Sequence, residues 1–348
     1  MRAAVYKGRG VVAVETVPVP RIGPGELLIR VESCGICHTD LKKIEHNLLP
    51  PPRIYGHETA GVVAAAGAGV DRFRVGDRVV VFHHIPCLEC FYCRRKLYAQ
   101  CPTYKRVGVT AGFEPAGGGF SQYVRAMDWI VRKGVEKIPD GVPFERAAFV
   151  EPVNTCYKAV VQSVPQPGET VLILGQGPIG LLFTMLVHRL GARIVATDTI
   201  RRRLALSRRC GAEALDPRNN DVKAQVAALS EGRGADLVIV AASFPGVVEE
   251  AIRLSRPGAR ILLFAQTSSQ ERIECSGADI CVGERTLFGC YSASVDIQKE
   301  AADLVFSGSI PLDELISHRL PLDQIVSGFD LALHPDEQSL KIMILPQR

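Results

Sequence analysis

Between Cys34 and Glu58 the chain reads C-G-I-C-H-T-D at one end and G-H-E at the other. The stretch supplies a thiol at Cys37, a hydroxyl at Thr39, and an imidazole beside a carboxylate at His57 and Glu58. Sulfur, imidazole nitrogen and carboxylate oxygen are the donors zinc accepts, and a catalytic zinc leaves one of about four positions open to water or substrate. A lone His-Glu pair would ordinarily be a satisfied polar contact. The nearby thiol is what points to a metal.

Two further stretches carry chemistry. Cys87, Cys90, Cys93 and Cys101 follow one another within a short lobe, and four thiolates so spaced close a tetrahedral shell with no place for substrate, which makes a structural zinc site. The neighbouring Arg94, Arg95 and Lys96 raise the alternative of a nucleic-acid zinc ribbon, but the rest of the chain offers no matching basic face, so no nucleic-acid partner is expected. The second stretch is Gly175-Gln176-Gly177-Pro178-Ile179-Gly180, the pattern G-x-G-x-x-G. Alone it is weak, but here it follows the apolar run T-V-L-I-L and opens the helical run I-G-L-L-F-T-M-L-V-H. Asp198 ends the next apolar run, about 20 residues on, where a carboxylate meets the adenosine ribose of a dinucleotide. Backbone N–H groups at such a turn approach a pyrophosphate at the positive end of a helix. Asp198 repels a 2′-phosphate and favours NAD over NADP, while Arg201, Arg202 and Arg203 offset part of that repulsion.

The elements that must hold these groups change character along the chain. As far as about Val150 the sequence is a series of short β-rich pieces, such as L-L-I-R-V and T-A-G-V-V-A-A-A, punctuated by Gly and Pro, which predicts a barrel-like or sandwich-like β domain. After Pro167-Gly168 come near-continuous apolar strands alternating with helices, as a parallel sheet covered on both faces requires. From about Tyr291 that alternation stops, and the closing K-I-M-I-L-P predicts a strand returning to the first domain.

At 348 residues, two domains are the default expectation, since single cores rarely grow beyond roughly 250 to 300 residues. The 41 basic and 37 acidic residues leave a net charge of only +4, too little to imply nucleic acid or a membrane surface. The start M-R-A-A-V-Y-K-G-R-G lacks the apolar core of a secretory signal, and the apolar stretch Thr170 to Leu190 is broken by Gly and Pro, so neither export nor a membrane span is expected. Eleven cysteines, an odd number with four at metal spacing, fit a reducing cytoplasm better than a disulfide framework.

Taken together, C-G-I-C-H-T-D, G-H-E, the four-cysteine lobe and a glycine turn arriving only after the β domain resemble the zinc-containing medium-chain alcohol and polyol dehydrogenases, sorbitol and threonine dehydrogenases among them. The resemblance implies an α/β protein: a GroES-like β-barrel catalytic domain over 1–153 carrying the zinc lobe 87–101, a Rossmann doubly wound parallel-sheet domain over 154–290, and a C-terminal return over 291–348. It implies an active site where the two domains meet. Cys37 and His57 become catalytic-zinc ligands, completed by Glu151 in F-V-E-P-V-N-T-C or by Glu58, and the residues do not rank the two acids.

The resemblance further implies that a zinc-bound alcohol, made acidic by the metal, passes hydride to the nicotinamide while Thr39 takes its proton. Many relatives end that relay with a histidine where this chain has Lys42; His46 or water are the substitutes. His38 and Arg203 fall at positions near the cofactor pyrophosphate and the adenosine ribose. His83 stands where liver-type alcohol dehydrogenases have an aromatic wall of the alcohol pocket. A polar group there, with Glu151, points to a polyol, a sugar or cyclitol derivative, or an amino alcohol, since a site built for hydrogen bonds rejects molecules that leave its groups unpaired. Simple aliphatic or benzylic alcohols are the runner-up. A binding protein without activity and a zinc-free reductase on the same scaffold are disfavoured by the ligands present. The resemblance also implies a homo-oligomer, a dimer or a tetramer.

Overall fold

Short runs of β-branched and apolar residues between glycines and prolines pair into sheet, and the longer apolar runs after residue 167 build a second sheet. The computed structural model describes residues 1–113, 117–265 and 272–348. Two compact units result, 1–154 with 293–348, and 155–292.

In the first unit β1 (Arg2–Gly8) and β2 (Val11–Thr16) form an antiparallel pair. The main sheet takes β3 (Leu27–Gly35), β4 (Glu58–Ala66), β5 (Arg78–Val81), β6 (Val109–Thr110), β7 (Tyr123–Ala126) and β8 (Val135–Lys137). Helix α1 (His38–Glu45) leaves the end of β3, and α2 (Asp128–Lys133), α3 (Phe144–Ala147) and α4 (Val150–Ser163) follow, α4 carrying the chain out of the unit. Alternate residues of β3, Leu27, Ile29 and Val31, are fully buried with Val63, Val79, Val81 and Phe120. Each such side chain contributes about 1.5–3 kcal/mol relative to exposure.

The second unit is a six-stranded parallel sheet of β9 (Thr170–Leu174), β10 (Arg193–Thr197), β11 (Ala212–Leu215), β12 (Ala235–Val240), β13 (Ser255–Leu263) and β14 (Thr286–Gly289), in the order β11-β10-β9-β12-β13-β14. Every residue of β9 and β12 is buried, as a sheet covered on both faces demands. Helices α5 (Pro178–His188) and α6 (Arg201–Arg209) follow β9 and β10. The order reverses between β9 and β12, and ligands of open α/β sheets bind beyond the strand ends at that reversal.

The chain then re-enters the first unit. Asn154 Nδ2 donates to Ser294 O at 3.0 Å and Ser294 N donates to Asn154 Oδ1 at 2.8 Å, pinning the outgoing and returning strands of chain together. The closing residues supply β15 (Ile316–Pro321) and β16 (Lys341–Leu345), and β16 inserts between β15 and β3. Among the described residues no helix is long and apolar enough to cross a membrane.

Candidate active site and metal centres

The end of β3 organises the site. Gly35 pairs with Glu58 of β4 on one side and with Met343 of β16 on the other, so two chain segments far apart in sequence flank the same point. Lys341, at the start of β16, donates from Nζ to Glu58 Oε1 at 2.6 Å and to Ile36 O at 3.0 Å. This pair crosses directly over Gly35. A Cβ there would stand 1.9 Å from Glu58 Oε2 and 2.7 Å from Lys341 Cε, so only glycine fits.

Cys37, extended at φ −114° and ψ 140°, turns the chain from β3 into α1. Its sulfur, a nitrogen of His57 and an oxygen of Glu58 lie within 4.8 Å of one another. His57 Nδ1 is 3.1 Å from Asp40 Oδ1, one helical turn past Cys37, and both residues are buried. That contact fixes the ring and leaves Nε2 to face a ligand. Burial opposes a charge on His57, but Asp40 and Cys37 outweigh it and raise its proton affinity well above the ordinary value. Surroundings that hold a proton so firmly also attract a metal cation. Glu58 Oε2 is buried and ion-paired with Lys341 Nζ, and the thiol, imidazole and carboxylate gathered here are the donor types that zinc accepts.

Glu151, in the first turn of α4, is buried but stands outside the group of mutually close donors. Burial, with Glu58 adding to it, pushes its carboxyl up to about 7. Thr39 is half-buried in the first turn of α1, His38 opens the helix exposed to solvent, and Lys42 is half-buried in its last turn. The His83 ring lies 4.8 Å from that of His57, and His84 lies 4.1 Å beyond His83. Burial foremost, then neighbouring positive charge, holds His83 well below the usual histidine range and lowers His84 to about 3. Both rings are therefore neutral near pH 7.

The cysteine lobe brings Cys87 and Cys93 to 3.9 Å between sulfurs, Cys90 and Cys93 to 3.5 Å, and Cys101 and Cys87 to 3.5 Å. A tetrahedron with zinc–sulfur arms of ~2.3 Å has edges of about 3.8 Å. The donor set fits that ion. Of the lobe's cations, Arg95 covers the Phe91 ring at 3.7 Å and Lys96 reaches Asp296 at 3.7 Å.

At the glycine turn each glycine has its own reason. Gly175 adopts φ +95° and a Cβ would meet Ala242 Cβ at 2.5 Å; Gly180 would strike Gly175 O at 1.9 Å. Gly177 has open space, its nearest neighbour being Arg203 Nη1 at 3.9 Å. These are the demands of a tight turn, of close helix–strand packing and of room for a pyrophosphate. Pro178 and Ile179 open α5, Pro178 at a position where a missing N–H costs nothing. Asp198 accepts from Gln176 N at 2.8 Å and Ile200 N at 2.9 Å, with Arg203 Nη1 at 3.7 Å.

Asp40 and Lys341 have no role in the sequence reading. Asp40 was signalled by its place three residues after Cys37, and Lys341 by being the single charge opening an otherwise apolar strand.

Comparison with known proteins agrees with this architecture. Residues 23–140 match the alcohol dehydrogenase GroES-like domain, and residues 178–307 the zinc-binding dehydrogenase domain. Sorbitol dehydrogenase of Bacillus subtilis (strain 168) is 30% identical over 355 residues, spanning 100% of this chain and 98% of the relative. Among solved structures, a protein from Sinorhizobium meliloti 1021 described as a zinc-binding dehydrogenase and bound to NADP superposes with a TM-score of 0.88 at 30% identity, covering 99% of both chains. Galactitol-1-phosphate dehydrogenase from Escherichia coli does so with a TM-score of 0.86 at 28% identity, covering 99% of this chain and 100% of the other. The chain belongs to the zinc-containing medium-chain alcohol and polyol dehydrogenase family. It is a zinc-dependent alcohol dehydrogenase acting on CH–OH groups, with a GroES-like catalytic domain and a Rossmann sheet that takes a nucleotide cofactor.

Proposed function

We propose that the chain oxidises a hydroxyl-rich secondary alcohol, a polyol, sugar or cyclitol derivative or amino alcohol, to the ketone with NAD as acceptor. One observation carries this reading: Cys37, His57 and Glu58 donors converge within 4.8 Å at the start of the helix that bears Thr39. With zinc and the dinucleotide bound, the site gains a Lewis acid that acidifies a coordinated hydroxyl and an acceptor for hydride. Cys37 and His57 hold that metal, and Glu58 or Glu151 completes its shell. Thr39, two residues from Cys37, takes the substrate proton, and Lys42, His46 or water hands it to solvent. His83 and His84, neutral and with Nδ1 atoms buried and unpartnered, offer hydrogen bonds to further hydroxyls. Cys87, Cys90, Cys93 and Cys101 hold a second, structural zinc.

NAD is favoured over NADP because Asp198, fixed by two backbone N–H groups, presents negative charge where a 2′-phosphate would sit; Arg203 pairs with it near the ribose. A cytoplasmic homo-oligomer, dimer or tetramer, completes the reading. Its support is the outer edge of β14, which pairs with β13 on one side and has no strand beside it on the other among the described residues, an edge of the kind that subunits share. Steady-state oxidation of sorbitol, inositol, threonine, 2,3-butanediol and benzyl alcohol with NAD and with NADP tests the reading, alongside zinc analysis. Polyol turnover with NAD and near two zinc per subunit supports it. Benzyl alcohol as best substrate replaces the substrate class, and a kcat/KM ratio favouring NADP reverses the cofactor.

A further inference from the structure

The four-cysteine lobe is tied to the helix that bears Glu151 by a series of hydrogen bonds, all of them within the first unit. Tyr104 is buried in one cluster with Cys93 and Cys101, and its N–H donates to Cys101 O at 2.9 Å. Its hydroxyl leaves the lobe and donates to Ala293 O at 3.3 Å. Ala293 precedes Ser294, whose N–H donates to Asn154 Oδ1 at 2.8 Å while its carbonyl accepts from Asn154 Nδ2 at 3.0 Å. Ser294 Oγ donates in turn to Asp296 Oδ1 at 2.6 Å, and Asp296 Oδ2 lies 3.7 Å from Lys96 Nζ of the lobe. Asn154 follows Glu151 by three residues on α4, so the two lie one turn apart on the same face.

Asn154 is fully buried, and Ala293, Ser294 and Tyr104 nearly so, so water does not compete for these bonds. A side-chain amide that meets the N–H and the C=O of one residue with its two ends is fixed in both position and orientation. The Lys96–Asp296 pair is exposed at the lysine and contributes little, which leaves Tyr104 as the main tie between lobe and clamp. Glu151 stands outside the group of donors that already lie close together. Whether its carboxylate reaches a metal therefore depends on where the first turn of α4 is held. Groups that fix a metal ligand from behind matter for affinity, and losing one weakens metal binding by about 10–100-fold.

We infer that the cysteine lobe positions Glu151: Tyr104 and the Asn154–Ser294 clamp carry the fixed shape of the lobe to the first turn of α4, and so couple occupancy of the four-cysteine site to metal affinity at the Cys37–His57 site. Tyr104 and Asn154 are positioning residues, since neither belongs to either set of donors. The inference rests on the two-zinc dehydrogenase reading above and adds to it that one site acts on the other. Such coupling is reciprocal, each ion raising the affinity for the other by the same factor.

Chelator competition on the full chain measures zinc affinity at each site, with cobalt(II) in place of zinc to tell four thiolates from one by absorption. Tyr104→Phe removes one hydroxyl and keeps the ring in the lobe. It is expected to retain the lobe's zinc and to lower affinity at the Cys37–His57 site by about tenfold. Filling that site should tighten the lobe's hold on zinc by a similar factor in the wild type and not in Tyr104→Phe. A cycle with Glu151→Gln separates positioning from general loosening, because once the carboxylate is gone Tyr104→Phe should cost the metal nothing further. Unchanged affinity in Tyr104→Phe, or the same loss with and without Glu151, overturns the inference and leaves the dehydrogenase reading standing. If Tyr104→Phe loses the lobe's own zinc, Asn154→Ala breaks the clamp from its other side with the lobe untouched, and the same two outcomes apply. If the Cys37–His57 site of the wild type takes no zinc, the two-zinc reading fails first. Amide exchange then decides the tie by itself: faster exchange at Ser294 and Val153 in Tyr104→Phe supports it, and unchanged exchange overturns it.

Discussion

Lys341 Nζ and Glu58 Oε1 are 2.6 Å apart with both side chains buried, joining the last strand of the chain to the residue that follows His57. The pair is sealed by the bare backbone of Gly35 beneath it. Removing one partner of a buried ion pair strands the other, at a cost of about 3–5 kcal/mol. Lys341→Met is expected to lower the unfolding free energy of the metal-free protein, measured by urea denaturation, by that amount, and Lys341→Met combined with Glu58→Gln to recover much of it. A single variant unfolding with the wild type would show that the pair adds nothing to stability.

Gly35→Ala places a methyl group 1.9 Å from Glu58 Oε2. Backbone and ion pair must then part, an overpacking that costs about 1–3 kcal/mol. Thermal unfolding should show the loss. The same variant should bind zinc more weakly, because Glu58 can no longer keep its position beside His57.

Asp40→Asn keeps the size of the side chain that holds His57 Nδ1 but removes its charge. Losing such a partner behind a metal-bound histidine weakens metal binding by about 10–100-fold. Competition with a chelator measures this directly, and unaltered affinity would make Asp40 a packing residue only.

Thr39→Val deletes the hydroxyl while preserving shape. A fall in kcat of about 10² to 10⁴ is expected for a group that moves a proton in the rate-limiting step. Thr39→Ser should retain most of the activity, and a valine enzyme with near-normal turnover would take Thr39 out of the mechanism.

Asp198→Ala removes the carboxylate that two backbone N–H groups and Arg203 surround. The KM for NAD should rise and that for NADP fall, since Arg203 is freed to meet a 2′-phosphate. An unchanged ratio of kcat/KM for the two cofactors would remove Asp198 from cofactor choice.

Much of this molecule can be read from the chain because the informative groups are neighbours in it. The strands T-V-L-I-L and A-D-L-V-I-V are apolar throughout, which marks burial on both faces, and they stand at the centre of the parallel sheet. The outermost strands, Ala212–Leu215 and Thr286–Gly289, escaped the sequence reading. Edge strands are short and bury fewer residues, so A-E-A-L and T-L-F-G carry little of the signal that a central strand does.

By itself the sequence determined the ingredients: four thiols in a short lobe, a thiol and a hydroxyl two residues apart, an imidazole beside a carboxylate, and three glycines between a strand and a helix. Each set works over a few residues of chain, where covalent spacing already limits where the groups can go. Only the tertiary structure decided that Lys341 meets Glu58 across 283 positions, that Asp40 steadies His57, and that Glu151 stands apart from the three close donors. Those relations follow from β16 entering the sheet beside β3, and strand partners so distant are chosen by packing and register, which no local run of residues encodes.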